Sequence, residues 1–250
     1  MTMANGSVTT MSAAKGSDAA KASLQLAARP EPVEIIPAET ALIVVDLQNG
    51  YASEGGYRSL AGQDVSSAKA VIANSARLID AAHEAGLAVI FFKNGWDAEL
   101  ETSGGPDSPN WRKSNPLKMM RNRADLTGKI LTHGTWDYEF VDDIKPGPDD
   151  LVVPKARYSG FCGTALDNIL RSRNIRTLLF VGIATNVCVE STIRDAYHRE
   201  YFCILISDAT AHSGPAFIQE ATLYNVERFL GWVTTTSDVC SALSRASVKD

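Results

Sequence analysis

The sequence predicts an α/β fold: a three-layer α/β/α sandwich around a central, mostly parallel sheet of five or six strands. From about residue 40 onward, short β-rich apolar runs alternate with amphipathic stretches, the order a parallel sheet with helical crossovers produces. The first run, Ala41-Leu42-Ile43-Val44-Val45, is continuously apolar rather than alternating, as a strand covered on both faces must be. A chain of 250 residues with 45% hydrophobic content can also fill one sizeable core.

After that first strand, residues 67–85 place Val71, Ile72, Leu78, Ile79 and Ala82 at helical spacing and stop at Gly86, a residue suited to a left-handed C-terminal cap. Residues 87–92 form the second strand and Leu151-Val152-Val153 the third. Residues 164–173 form a helix expected to open with Thr164 and Asp167 as a capping box. Thr177–Ile183 is the fourth strand, and residues 187–200 form the next helix, with Val189, Ile193 and Tyr197 on one face. Residues 202–206 are the fifth strand, 215–229 a helix, 232–235 a sixth short strand and 237–244 a final helix. Residues 93–148 break the alternation with Gly104-Gly105-Pro106, Pro109, Pro116, Pro146-Gly147-Pro148 and tryptophans at 96, 111 and 136. A connection this long is usually functional, and it is expected to fold over the carboxyl edge of the sheet.

Residues 1–33 are rich in Ala, Ser, Thr and Gly and lack an apolar core segment. They read as a flexible N-terminal extension rather than a secretory signal, and residues 34–250 as a single domain. The formal net charge of −5, without any dense basic run, argues against a nucleic-acid partner. Basic residues gather only at Arg112-Lys113, Lys118 and Arg121-Asn122-Arg123, a solvated or substrate-facing strip. No apolar run approaches the roughly 18 residues of a membrane span, so no membrane partner is expected. The four cysteines, at 162, 188, 203 and 240, show neither paired metal spacing nor disulfide density, which points to a reducing, cytoplasmic compartment.

Three reactive residues fall at strand carboxyl ends, where open α/β sheets bind ligands. Asp46 follows the first strand, Lys155 the third and Cys188 the fourth. Cys188 lies at a strand–helix junction, where the helix dipole and backbone N–H groups favour thiolate over thiol. A thiol that attacks a carbonyl must lose its proton, and a carboxylate can take it. An ammonium group stabilises the thiolate and offsets the carboxylate's charge. The competing reading is an Asp46–Lys155 ion pair beside an inert cysteine. Each residue alone favours that reading; the three together, each at a strand end, favour chemistry. Among the four histidines (83, 133, 198 and 212) only His212 is placed where it could reach such a site. Cys162, Cys203 and Cys240 are expected to be structural.

Asp46-Leu47-Gln48-Asn49, Lys155 and Gly182-Ile183-Ala184-Thr185-Asn186-Val187-Cys188 resemble the three signatures of the isochorismatase-like cysteine hydrolases, over about residues 36–244. The resemblance implies a triad of Cys188, Asp46 and Lys155, and a non-proline cis peptide before Ala184. It also implies an oxyanion hole from the Ala184 and Cys188 N–H groups, no cofactor and a homo-oligomer, dimer or tetramer. Longer strings are similar to the branch acting on ureidoacrylate or its peracid, a linear ureide of uracil degradation. They include Phe92-Lys93-Asn94-Gly95-Trp96-Asp97 and Lys155-Ala156-Arg157-Tyr158-Ser159-Gly160-Phe161. Nicotinamidases of the family carry an Asp–His–His metal site where this chain reads Asn94-Gly95-Trp96-Asp97, so no metal is expected.

A small ureido substrate would then meet Asn94 by hydrogen bonding, Trp96 as a wall against water, and the hydroxyls of Tyr51 and Tyr158. Arg157 or the 112–123 basic strip would meet its carboxyl end. For each aromatic, a packing role competes on equal terms. Two alternatives stay open: another linear carbamoyl amide such as biuret or N-carbamoylsarcosine, and a non-catalytic binding module on the same fold. The intact Asp46, Lys155 and Cys188 speak against the second.

Overall fold

In the computed structural model, which describes residues 23–247, the alternating runs assemble one six-stranded, wholly parallel sheet. Two short strands, β1 (Leu24–Leu26) and β2 (Val33–Ile35), form a separate antiparallel ribbon. The sheet comprises β3 (Thr40–Val45), β4 (Ala88–Asn94), β5 (Leu151–Lys155), β6 (Thr177–Ile183), β7 (Phe202–Ala211) and β8 (Trp232–Thr234). Its order is β5-β4-β3-β6-β7-β8. The chain enters at the centre, winds outward through β4 and β5, then returns to β6 on the other side of β3. The strand order therefore reverses between β3 and β6, and such a switch point opens a crevice at the carboxyl edge.

Two cores lie on opposite faces of the sheet. Leu42 and Val44 pack on one face with α3 (Ala68–Glu84) and α9 (Thr236–Ser247), while Ala41, Ile43 and Val45 pack on the other with α6 (Leu166–Ser172) and α7 (Glu190–Tyr197). A strand covered on both faces has no polar side, which is why residues 41–45 read as a continuous apolar run. α3 stops as the sequence requires. Gly86 takes a left-handed φ of 72°, and Leu87 N–H closes back on Ala82 O at 2.9 Å.

The long connection from β4 to β5 contains α4 (Pro109–Lys113) and α5 (Asn115–Asn122). Two one-turn helices, α1 (Asn49–Ala52) and α2 (Tyr57–Leu60), follow β3, and α8 (Phe217–Asn225) follows β7.

Three expectations are corrected. Residues 23–33, assigned to a flexible extension, are built into the domain; residues 1–22 of that extension lie outside the described residues. Leu26 is fully buried in the α3–α9 core, and Arg29 exchanges backbone hydrogen bonds with Val233 at 2.8 and 3.0 Å. Three residues of β1 suffice because the ribbon borrows its core from the main domain. The capping box at 164–167 does not form. Thr164 Oγ1 accepts the Leu166 N–H at 3.2 Å, but Asp167 is held by Arg171 and the Tyr201 hydroxyl instead. The helix expected over 187–200 begins as a π turn, Thr185–Val189, before α7.

Candidate active site

The charged core of the site comes from strands that stop at one edge. β3 is followed at once by Asp46, whose backbone turns left-handed (φ 51°), with its N–H on Phe92 O at 3.3 Å. β5 ends in Lys155, which pairs in register with Asn94 of β4. The lysine side chain reaches past the end of β4, and its Nζ donates to Asp46 Oδ2 at 2.7 Å and to Arg157 O at 3.2 Å. Both charged side chains are wholly buried. Two charges withdrawn from water rarely stabilise a fold on balance, so such a pair invites a chemical explanation.

Cys188 arrives from β6 on the other side of β3. The Ile183–Ala184 peptide is cis, as the resemblance implied. Val187 and Val189 N–H groups then both donate to Ala184 O, at 3.0 and 3.2 Å, and wind the π turn that carries Cys188. The close approach of β3 and β6 depends on Gly182, with φ 114°, since a Cβ there would fall on the Val45 carbonyl. Thr192 fixes the turn from behind: its hydroxyl donates to Cys188 O at 2.6 Å and accepts the Gly160 N–H at 3.0 Å.

The Cys188 thiol interacts with both Asp46 and Lys155. Asp46 Oδ1 is buried with no hydrogen-bond partner among the described residues, which leaves it open to take a proton. Burial pushes the Cys188 thiol well up; Lys155 opposes the shift and Asp46 adds to it. Burial thus opposes the preference for thiolate that the helix end was expected to give. Desolvation at a deeply buried sulfur outweighs whatever the turn's N–H groups offer. Burial also raises Asp46, against the pull of Lys155. For Lys155 burial acts downward, and Asp46 and Cys188 outweigh it, so its pKa rises. The arrangement favours a protonated Cys188 beside the hydrogen-bonded Asp46–Lys155 pair. It can pass a proton from sulfur to carboxylate without creating net charge.

A cavity of about 90 Å³ opens on Cys188, while Asp46 and Lys155 lie buried behind its wall. Cys188, Ala184, Tyr51, Tyr158, Asn115 and Arg58 are among the residues that line it, so α1, α2, α5 and the π turn all contribute. The 93–148 connection thus does close over the carboxyl edge, through Asn115 and Pro116.

Of the residues expected at the substrate, Tyr51 and Tyr158 line the cavity; Asn94 and Trp96 do not. Asn94 Oδ1 accepts the Tyr51 hydroxyl at 2.6 Å, and its Nδ2 donates to Lys155 O at 3.2 Å and Arg157 O at 3.4 Å. Its amide is occupied in holding the framework. Trp96 is buried in an apolar cluster with Leu117, Met120 and Leu131, its Nε1 donating to Ala156 O at 3.3 Å. Arg157 donates to Thr102 O and Ala156 O, both at 2.9 Å, and the basic strip lies on exposed α4 and α5, where Arg121 stacks on Trp111. None of these cations lines the cavity. His212 contributes its carbonyl, which accepts from Arg58 Nη2 at 3.3 Å.

Sequence reasoning missed Gln48 and Arg58. Gln48 is wholly buried and stitches the loop after β3 to the end of β4: Nε2 donates to Asn94 O at 3.0 Å and Tyr138 O at 2.8 Å, and Oε1 accepts the Asn94 N–H at 2.8 Å. Its place in the string Asp46-Leu47-Gln48-Asn49 was the available signal. Arg58 carried none, because only the return of α2 over the sheet edge brings it to Cys188.

The family model described as Isochorismatase domain matches residues 40–238. Ureidoacrylate amidohydrolase RutB from Agrobacterium fabrum is 58% identical over 224 residues, 90% of this chain and 98% of that protein. The protein of the same name from Azorhizobium caulinodans is 54% identical over 225 residues, 90% and 99% of the two chains. Among solved structures, a cysteine hydrolase from Pseudomonas syringae pv. phaseolicola superposes with a TM-score of 0.70 at 30% identity, covering 91% of this chain and 99% of that one. N-carbamoylsarcosine amidase from Thermoplasma acidophilum gives 0.59 at 26% identity, covering 79% and 96%.

Proposed function

The chain belongs to the isochorismatase family, and from that premise we infer that it is a ureidoacrylate amidohydrolase. It hydrolyses the C–N bond between the ureido carbonyl and the acrylate nitrogen. The near end-to-end likeness to relatives of that name supports the substrate. The observation that supports the chemistry is the enclosed Asp46–Lys155 pair, with Cys188, whose thiol form burial favours, at the wall of a cavity.

In the mechanism we propose, Asp46 takes the Cys188 proton as sulfur attacks the ureido carbonyl. Lys155 stays an ammonium throughout and balances first the carboxylate, then the developing thiolate. The Ala184 and Cys188 N–H groups hold the carbonyl oxygen as it becomes an oxyanion. Asp46 returns the proton to the nitrogen, the C–N bond breaks, and 3-aminoacrylate leaves a carbamoyl thioester on Cys188. Water, deprotonated by Asp46, attacks that thioester; carbamate leaves and the proton returns to sulfur. One water is consumed for each carbamate and aminoacrylate formed.

We place the reaction in uracil breakdown in the cytoplasm, and the four unpaired cysteines fit a reducing compartment. We also propose a homo-oligomer: α8 and the turn after it expose Phe217, Tyr224 and Phe229, large apolar groups of the kind subunit contacts cover. No described helix is long and apolar enough to cross a membrane.

Release of ammonia and carbon dioxide from freshly generated ureidoacrylate, compared between wild type and Cys188→Ala, tests the central reading. Turnover by the wild type and its loss in the variant are expected. Equal turnover in both would remove Cys188 as nucleophile; no wild-type turnover would remove the substrate and direct attention to biuret and other carbamoyl amides.

A further inference from the structure

The cavity that opens on Cys188 also holds a cation that the proposed chemistry does not use. Arg58, on α2, is 6% exposed and lines the same space. Two neutral acceptors hold its guanidinium. Its Nε donates to Gln63 Oε1 at 3.0 Å and its Nη2 to His212 O at 3.3 Å. Gln63 is itself fixed by the Ser213 hydroxyl, which donates to the same oxygen at 3.2 Å. Among the described residues, Nη1 has no hydrogen-bond acceptor, and no carboxylate forms an ion pair with Arg58. The carboxylate of Asp64 acts on Arg58 only at a distance beyond an ion pair, and it is spent on the backbone N–H and hydroxyl of Ser66, both at 2.8 Å.

A buried charge without a counter-ion is costly, and proteins ordinarily pair it. Here the guanidinium is oriented by neighbours yet keeps donors free, as a planar fork waiting for a carboxylate would be. We propose that Arg58, held by Gln63 and the His212 carbonyl, is the subsite for the carboxylate of the substrate. The inference rests on the amidohydrolase reading for the identity of that substrate. A linear ureide acid carries its anionic end on the same short molecule as the carbonyl that Cys188 attacks, so one small cavity must meet both. Arg58 then selects ureides ending in a carboxylate over neutral ureas or amides, and sets which carbonyl faces the sulfur. Its role is binding and positioning, without proton transfer.

The test separates this subsite from the substrate assignment by using a second, unrelated probe. Cys188 is alkylated with 4-bromocrotonate and with the neutral 4-bromocrotonamide, in the wild type and in Arg58→Gln. The expected result is that the ratio of the two rates, acid over amide, falls about 10- to 100-fold in the variant, the range set by loss of a charge-assisted bidentate contact. With ureidoacrylate, kcat/KM should fall by a similar factor, mostly through KM. An unchanged alkylation ratio overturns the subsite, even if turnover is lost, because a merely structural arginine would not discriminate the two reagents. A falling ratio without wild-type turnover of ureidoacrylate keeps the subsite and rejects that substrate. If Arg58→Gln is recovered unfolded, Arg58→Lys gives the same comparison. A compact ammonium keeps the charge but loses the fork, so the ratio should fall less, and no fall at all overturns the proposal.

Discussion

At Asp46 a carboxylate is held between an ammonium and a thiol with no face open to solvent, so its charge state decides what its neighbours can do. Burial, opposed by Lys155, raises its pKa above the ordinary 3.8. Only the ionised form can accept the Cys188 proton. Activity is therefore present above the raised value and is lost as pH falls through it. The acid limb of kcat/KM should bend at a pH above 3.8, with a tenfold loss per unit below, read from a pH–rate profile; the apparent value belongs to the coupled trio. Asp46→Asn should lower kcat/KM by roughly 10²- to 10⁴-fold, the usual worth of a general base. It should also cost about 3–5 kcal/mol of stability in urea unfolding, because Lys155 is left buried without its partner. A stability loss below about 1 kcal/mol would mean the ammonium had shed its proton or found water. Tyr51→Phe tests the framework more gently. Removing the hydroxyl frees Asn94 Oδ1, and a loss of about 1–2 kcal/mol in kcat/KM is expected from slackening of the loop around Lys155.

Elements decide how these residues meet. β3 and β6 lie side by side only because residue 182 is glycine, with Val45 directly opposite in register. Gly182→Ala meets both a φ of 114° and the Val45 carbonyl, so it should abolish soluble expression or lower the melting temperature by more than 10 °C in a thermal scan. A melting temperature within 2 °C of wild type would show that the strands can part without loss. The strands were legible because burial on both faces removes every polar residue, and the 177–183 strand was read to the residue. The helix after it was not, because a π turn differs from an α turn by one residue of hydrogen-bond register, and side-chain periodicity does not record that difference over five residues. β7 runs on to Ala211, past the 202–206 expected, through a register shift opposite Phe180–Gly182. Such an irregularity interrupts the apolar run that marks a strand.

On the scale of the whole molecule, the boundary of the domain and the contents of the cavity are the two matters the sequence read least well. A chain starting at Ser23 retains β1, whereas one starting at Val33 loses Leu26 from the core and the Arg29–Val233 pairing. The shorter chain should be less stable by about 2 kcal/mol or more, from burial of one leucine and two backbone hydrogen bonds, as urea midpoints would show. Equal midpoints would return residues 23–32 to the role of a tail. A run of Ala and Ser around three strand residues carries too little pattern to announce that it packs; the ribbon exists because α9 and β8 wait for it. What the sequence determined by itself was the layered parallel fold and the placement of Asp46, Lys155 and Cys188 at or just past strand ends. Strand periodicity and the rule that ligands gather at carboxyl edges act through local order. What only the tertiary structure decided was which side chains face the sulfur. Asn94 and Trp96 were drawn into the framework, and Arg58, silent in the sequence, was carried in from a separate one-turn helix. The upward shift of the Cys188 thiol was decided there too, since desolvation depends on everything packed around an atom rather than on its neighbours along the chain.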